Sequence, residues 1–251
     1  MKIIMKKTEK KRILYYKNFI KKQIEEADKS GGVVGISGGI DSAVCMYLTC
    51  KAVGKQKTHP VYMPHQKNTR KWDNSIAELT TDLGIELKTY NLKNIIEEFK
   101  KLIGSRDQME VGNFSARVRS AFLYQEAVIT NSLVINTSNR SEELTGYFTK
   151  WGDEAGDISP LGNLYKKDVY SLGKSLGVPE KILKARPSAG FYENQTDETE
   201  LGISYPVLDK VLIKIDQKRE EDVEPELLKK VKFLIEKSEH KRNKPVTALR
   251  I

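Results

Sequence analysis

The sequence predicts an α/β protein built on a doubly wound parallel sheet with helices on both faces, followed by a helical C-terminal segment. Three observations predict this class. Short β-branched runs alternate with amphipathic helical periods up to residue 136, in the order β-α-β-α-β-α-α-β that suits a parallel sheet. A glycine-rich turn follows the first of these runs. Amphipathic helical periods return after residue 165 and account for the C-terminal segment.

Strands are assigned to β-branched or apolar runs that end in turn residues, and helices to apolar residues at helical spacing. The predicted strands cover residues 33–36, 59–63, 85–90 and 132–136. The predicted helices cover residues 11–28, 41–52, 74–83, 94–103, 113–130, 166–176, 179–184, 204–214 and 224–238. Asp73 or Asn74 is expected to cap the third helix, and Gly84 is expected to end it.

The loop after the first strand, in the stretch VVGISGGIDS, has the composition of an anion site. Ser37, Gly38 and Gly39 allow a tight turn that presents successive N–H groups. Asp41 and Ser42 then open a helix, whose first N–H groups attract anions. The alternative is an ordinary strand-to-helix loop in which an aspartate caps the helix.

Neither of the two commonest phosphate loops is present in this stretch. A Walker A loop needs Gly-Lys-Ser/Thr, and no lysine occurs between Ser30 and Lys51. The dinucleotide pattern G-x-G-x-x-G is also missing there. Ligands of open parallel sheets bind at the carboxyl ends of the strands. We therefore expect the loops 37–42 and 137–142, which follow the first and fourth strands, to meet at one site.

Length and composition indicate a single globular domain over residues 1–251, with a long loop-rich stretch after residue 145. The net charge of +9 suits a polyanion such as RNA, but it equally suits a phosphate-rich small substrate. No apolar run approaches the roughly 20 residues of a membrane span, and the basic N-terminus lacks the apolar core of a secretory signal. Cys45 and Cys50 are expected to be reduced, as in a cytoplasmic protein.

The loop Ser-Gly-Gly-Ile-Asp-Ser resembles the pyrophosphate loop of the ATP pyrophosphatase superfamily, which splits ATP into AMP and pyrophosphate. Further stretches resemble one family of that superfamily, the NAD synthetases. These stretches appear in family order: GNFSARVR at 112–119, TSNRSE at 137–142, GYFTK at 146–150, GD at 152–153, DISP at 157–160, the lysine at 166, PSAG at 187–190, QTDE at 195–198 and HKR at 240–242. Departures are limited to FYEN at 191–194 and Arg186.

The resemblance implies a Rossmann-like, adenine nucleotide alpha-hydrolase-like fold and a two-step amidation. ATP adenylates the carboxylate of deamido-NAD and releases pyrophosphate, and ammonia then displaces AMP to give NAD. Adenylation is needed because a free carboxylate is a poor electrophile. Backbone amides, Mg²⁺ and a lysine would stabilise the negative charge that develops on pyrophosphate.

The resemblance also implies roles for individual residues. The implied ATP-binding residues are Gly35, Ile36, Ser37, Gly38, Gly39, Ile40, Asp41, Ser42, Thr137, Lys166 and Ser188. The implied Mg²⁺ ligands are Asp41 and Glu142, two hard oxygen donors. The implied deamido-NAD-binding residues are Arg117, Lys150, Asp157, His240 and Lys241, with Asp153 a weaker candidate.

Simpler interpretations stay open for several of these residues. Arg117 and Arg119 lie two apart on a helix and cannot share a face, so one is expected at the surface, and Arg117 is assigned as the binder. Glu142 could be the capping-box partner of Asn139. Lys166 and Lys167 could form a solvated pair. Trp72 and Trp151 suit packing as well as substrate stacking.

Two other functional classes compete with the amide-forming ligase. A tRNA-modifying enzyme of the same superfamily should carry catalytic cysteines or an RNA-binding domain, and the sequence shows neither. A non-catalytic nucleotide-binding module has no need of Asp41, Glu142 and Lys166 together. About 30 residues precede the first strand, too few for the glutaminase domain of some relatives, so free ammonia is the expected nitrogen source. The resemblance implies a homodimer with no nucleic-acid or membrane partner.

Overall fold

A four-stranded parallel sheet forms the centre of the computed structural model, which describes residues 7–65, 70–104, 107–191 and 195–248. The strands are β1 (Gly31–Gly35), β2 (Thr58–Tyr62), β3 (Lys88–Thr89) and β4 (Ser132–Ile135). Their order across the sheet is β3-β2-β1-β4, and every pairing is parallel. The chain therefore reverses its direction of winding beside β1, and such a reversal creates a crevice at the carboxyl ends of the strands.

The helices occupy most of the predicted positions. They are α1 (Lys7–Glu26), α2 (Ile40–Val53), α3 (Arg70–Leu83), α4 (Lys93–Ile103), α5 (Gln108–Ile129), α6 (Arg140–Thr145), α7 (Lys166–Leu176), α8 (Glu180–Leu183), α9 (Asp197–Leu201), α10 (Tyr205–Asp216), α11 (Pro225–Lys237) and α12 (Glu239–Arg242). No helix among the described residues has both the length and the apolar character needed to cross a membrane.

Both faces of the sheet are covered, as predicted. Val33 and Val34 are fully buried neighbours in β1, and alternation along a strand sends them to opposite faces. Val34 belongs to a core with residues of α1, α2 and α7, whereas Val33 belongs to a core with residues of α4 and α5. A third apolar cluster joins α10 to α11 and forms the predicted helical C-terminal segment.

Four local predictions differ from the structure. The predicted third strand shrinks to β3, whose two exposed residues pair only with the end of β2. The predicted cap of α3 is wrong, because that helix begins at Arg70 and contains both Asp73 and Asn74. Helix α5 begins earlier than expected, since the Asp107 carboxylate accepts hydrogen bonds from two backbone N–H groups of its first turn. The turn predicted at 137–142 continues into the short helix α6.

Candidate active site

The loop after β1 is shaped by serine hydroxyls and by one glycine with a left-handed backbone. Gly38 has a φ of 84°, which a residue with a Cβ rarely adopts. Ser42 Oγ donates to the carbonyl of Gly39 at 3.0 Å, and Ser37 Oγ accepts from the N–H of Gly39 at 3.2 Å. Helix α2 has Gly39 at its N-cap with no side-chain cap. The alternative with Asp41 as the cap is therefore wrong, and the first N–H groups of α2 have no capping side chain.

The loop after β4 brings a second carboxylate to the same edge of the sheet. Asn139 Oδ1 accepts from the N–H of Glu142 at 3.1 Å, and the N–H of Asn139 donates to Glu142 Oε2 at 3.2 Å. This is the capping box that the sequence left open. The Asn139 side-chain amide also donates to Asp41 Oδ1 at 2.9 Å. The two loops are thus joined directly through Asn139.

Lys166 lies between these two carboxylates. Its Nζ is 2.8 Å from Asp41 Oδ2 and 2.8 Å from Glu142 Oε1, and the residue is only 1% exposed. The same Nζ lies 4.9 Å from the centre of the Tyr205 ring. Lys167, by contrast, is exposed. The interpretation of these lysines as a solvated pair is therefore wrong for Lys166.

The charges of this cluster do not balance. Burial would lower the pKa of Lys166, but the Asp41 and Glu142 carboxylates outweigh it and raise that pKa, so Lys166 stays protonated. Burial raises the pKa of Glu142, although Lys166 opposes the shift. Asp197 adds a third carboxylate close enough to influence the other charges. One ammonium group thus faces three acidic side chains, an arrangement that favours a further cation.

Three of the residues predicted to bind the dinucleotide are linked directly by contacts. Arg117 Nε donates to the carbonyl of Lys150 at 3.2 Å, and the Lys150 ammonium donates to the carbonyl of His240. Lys241 Nζ donates to the carbonyls of Gly146 and Phe148, both at 2.8 Å, and so anchors α12 to the same turn. The segment 146–151 therefore holds together side chains from α5 and α12.

Three other predicted residues lie outside these contacts. Asp157 follows β4 in the chain but folds back on it, where its Oδ2 accepts from the N–H of Val134 at 2.7 Å. Ser188 lies after α8 and accepts from the N–H of Gly190 at 3.1 Å. Thr137 is a partly exposed residue two positions after the end of β4. Within the described residues, no hydrogen bond joins any of the three to Lys166.

The two arginines of α5 differ in surroundings. Arg117, the arginine assigned as the binder, is the more exposed of the two, so the implied surface position of the other arginine is wrong. Arg119 is partly buried; its Nε donates to the carbonyl of Met63 at 3.2 Å and its Nη2 lies 2.7 Å from His65 Nδ1. Trp151 is exposed, and Trp72 lies where the structure does not describe the side chain.

Comparison with known proteins identifies the family. The family model of NAD synthase matches residues 12–245. The chain belongs to the NAD synthase family. The NH3-dependent NAD(+) synthetase of Pyrococcus horikoshii is 46% identical over 248 residues, covering 94% of this chain and 95% of that protein. The resemblance seen in the sequence motifs is thereby confirmed.

Solved structures agree with this membership. NMN synthetase from Francisella tularensis superposes with a TM-score of 0.87 at 35% identity, covering 96% of this chain and 98% of that one. NH3-dependent NAD synthetase from Campylobacter jejuni, solved with a nitrate ion, superposes with a TM-score of 0.82 at 31% identity, covering 96% and 99%. The α/β fold predicted from the sequence is the fold of NAD synthetases.

Sequence reasoning gave no role to two residues that complete the Lys166 cluster of this NAD synthase family member. Tyr205 is buried at the start of α10, and its hydroxyl donates to Asp197 Oδ2 at 3.1 Å and lies 3.5 Å from Glu142 Oε1. Asp197 could have been found, because it belongs to the QTDE stretch. Tyr205 had no such signal, since a lone tyrosine at a helix start is typical of packing.

We expect Lys166→Ala to lower the free energy of unfolding by about 3–5 kcal/mol, because it leaves two buried carboxylates without their cation. Urea denaturation measures the change. Lys167→Ala is the matched control, since that side chain is exposed and only its backbone N–H contacts Asp209; it should change stability by less than about 0.5 kcal/mol. Equal effects of the two substitutions would contradict the buried ion pairs.

Proposed function

We propose that this chain amidates deamido-NAD with ammonia and ATP, giving NAD, AMP and pyrophosphate. Family membership and relatives described as NH3-dependent NAD(+) synthetases support the proposal. The structural observation that carries it is the buried ammonium group of Lys166, held at the carboxyl edge of the sheet by one carboxylate from each loop. A fixed positive charge beside a phosphate-type loop suits a reaction that expels pyrophosphate.

The chemistry proceeds in two displacements. A carboxylate oxygen of deamido-NAD attacks the α-phosphorus of ATP, and the bond from that phosphorus to pyrophosphate breaks. The N–H groups of residues 37–42 and the Lys166 ammonium stabilise the charge on the departing pyrophosphate. Ammonia nitrogen then attacks the activated carbonyl carbon, and the carbon–oxygen bond to AMP breaks. Neither displacement needs a covalent bond to the protein.

Asp41 and Glu142 fit a magnesium ion by the chemistry of their donors. Both are carboxylates from different loops at the same edge, and each has one oxygen on Lys166 and the other on Asn139. Asp41 Oδ1, Asp41 Oδ2 and Glu142 Oε2 each keep a further lone pair for a metal, whereas Glu142 Oε1 also accepts from the Tyr205 hydroxyl. The described residues offer no group of three or more metal-binding side chains. Phosphate oxygens and water would complete the shell, as is usual for Mg²⁺, which would neutralise phosphate charge.

The remaining predicted residues keep the roles that the resemblance implies. The segment 37–42, Thr137, Lys166 and Ser188 would bind ATP. Arg117, Lys150, Asp157, His240 and Lys241 would bind deamido-NAD; the contacts among Arg117, Lys150 and the 240–241 pair support a common binding surface. The free thiols of Cys45 and Cys50 and the small-molecule substrates suit a cytoplasmic enzyme.

The similarity to Francisella tularensis NMN synthetase supports a second candidate function. The same adenylation and displacement would then act on the mononucleotide that lacks the AMP half of deamido-NAD. The Lys166 cluster would serve both reactions equally, because both substrates present the same carboxylate for adenylation. The two functions differ in whether the surface around Lys150 is needed for binding.

Purified protein with Mg²⁺, ATP, ammonium and deamido-NAD should form NAD, AMP and pyrophosphate in equal amounts. Glutamine in place of ammonium should give little product, and deamido-NAD should have a higher kcat/KM than its mononucleotide. Chromatography of the nucleotides and a pyrophosphate assay measure all three. Absence of pyrophosphate at saturating substrate would contradict the ligase assignment, and preference for the mononucleotide would favour the second candidate.

Asp41→Asn should raise the Mg²⁺ concentration for half-maximal activity by roughly ten-fold or more, because an amide lacks the charge of a carboxylate ligand. The KM for deamido-NAD should change less. Activity measured at a series of Mg²⁺ concentrations separates the two effects. Asp168→Asn is the matched control, since that carboxylate pairs with Arg12. An unchanged Mg²⁺ dependence for Asp41→Asn would contradict the metal assignment.

We also propose a homodimer, with a second copy covering the exposed apolar side of α5. Tyr124 and Val128 continue the helical row of Ser120, whose hydroxyl contacts the carbonyl of Trp151. The large side chains of Tyr124 and Val128 are exposed, and those of Ile129 and Trp151 are exposed as well. An apolar surface of this kind is typical of an interface between protein chains.

Val128→Asp should therefore lower the mass measured in solution from that of two chains to the 28.6 kDa of one chain, because it places a charge in the proposed interface. Light scattering after gel filtration measures the mass. Leu102→Asp serves as the control, since Leu102 is more exposed than Val128 but lies on α4. A parent protein with the mass of one chain would contradict the dimer.

A further inference from the structure

Arg119 is a partly buried cation with no ion-pair partner among the residues that the structure describes. It forms two hydrogen bonds, from Nε to the carbonyl of Met63 and from Nη2 to His65 Nδ1. Neither acceptor carries a charge that neutralises the guanidinium. Burial lowers the pKa of Arg119, and Asp153 opposes that shift only from a distance beyond an ion pair. A buried charge is costly to the folded protein unless an opposite charge accompanies it.

Two other arginines, Arg242 and Arg12, have more hydrogen-bond or ion-pair partners. Arg242 is also partly buried, but its guanidinium donates to four acceptors, three backbone carbonyls and one hydroxyl. Arg12 pairs with the carboxylates of Glu9 and Asp168. Arg119 Nη1, in contrast, has no hydrogen-bond partner among residues 7–65, 70–104, 107–191 and 195–248. One arm of its planar fork is thus available to a ligand.

Arg119 is hydrogen-bonded to the segment that runs beside the proposed phosphate loop. Gly35 pairs with Val61, and the N–H of Ile36 still donates to the carbonyl of Val61 at 2.9 Å. Continuing this parallel register by two residues sets Met63 beside Ser37, the first residue of the loop. Arg119 is hydrogen-bonded to Met63, so its guanidinium lies one strand away from the phosphate loop.

His65 extends the same surface as a neutral donor. Its Nδ1 accepts from Arg119, so the ring proton of the neutral form resides on Nε2. Burial, together with the charges of Arg119 and Lys100, lowers the pKa of His65 to about 4, and Glu97 opposes this only weakly. His65 is therefore uncharged at neutral pH and leaves Arg119 as the one charge of this pair.

We infer that Arg119 binds an anionic oxygen of a substrate, a phosphate or a carboxylate, at the carboxyl end of β2. The inference rests on the proposed function for the identity of the substrates, because both ATP and deamido-NAD carry such groups. The ligand would supply the negative charge that no described residue places beside Arg119. The second arginine of the 112–119 stretch then has a binding role of its own, distinct from that of Arg117.

The test measures binding without turnover. Calorimetric titration with ATP alone and with deamido-NAD alone gives two dissociation constants for each protein. Arg119→Ala should weaken one of the two by roughly 10- to 100-fold, the loss expected for a hydrogen bond to a charged group. Millimolar guanidinium should restore much of that loss. The ligand whose binding is weakened is the one that carries the anionic group bound by Arg119.

Two further variants keep the result interpretable. Arg119→Lys retains the positive charge without the planar guanidinium, so it should weaken binding of the same ligand by a smaller factor. If the alanine variant does not fold, the dissociation constants of this lysine variant test the inference. Arg12→Ala, which removes an arginine already paired with carboxylates, should leave both dissociation constants within about two-fold. Unchanged constants in Arg119→Ala, or weakening that guanidinium does not restore, would overturn the inference. If the parent protein does not amidate deamido-NAD, that result overturns the proposed function instead.

Discussion

The ion pairs of Lys166 hold together three segments that are distant in the chain. Asp41 is 125 residues before it and Glu142 is 24 residues before it. Without the ammonium group, the loops after β1 and β4 would bring two carboxylates together in a poorly solvated place. The charge of Lys166 thus allows two acidic side chains to lie close together in the folded protein before any substrate binds.

The same cluster explains why the candidate site lies where the winding of the sheet reverses. Strand β1 has β2 on one side and β4 on the other, so the loops after β1 and β4 leave the sheet side by side. Asn139 joins them through its side-chain amide, and Lys166 closes the arrangement from the start of α7. A rigid frame of this kind keeps the charges in place, which is the condition for stabilising a departing anion without reorganisation.

The sequence predicted the sheet and most helices because periodicity and turn residues are local signals. The predicted extent of the third strand was wrong, because β3 contains only Lys88 and Thr89, two exposed residues at the sheet edge. The role of Lys166 was reached only through resemblance, since its burial depends on partners that no local pattern reveals. Glu142 was predicted as either a cap or a site residue; in the structure its Oε2 caps α6 while its Oε1 contacts Lys166, so the two roles are compatible. Tyr205 could not be predicted, because its contacts arise from the packing of α10 against α6 and α7.

The attachment of α12 to the 146–151 turn sets an order of events during synthesis of the chain. Lys241 donates to Gly146 and Phe148, residues made more than ninety positions earlier. All four strands and all members of the Lys166 ion pairs lie within the first 166 residues, but this turn gains its last supports only when residues 240–243 have left the ribosome. A nascent chain would therefore possess its phosphate loop well before the surface around Lys150 is complete. A growing chain could therefore bind ATP before it can bind deamido-NAD.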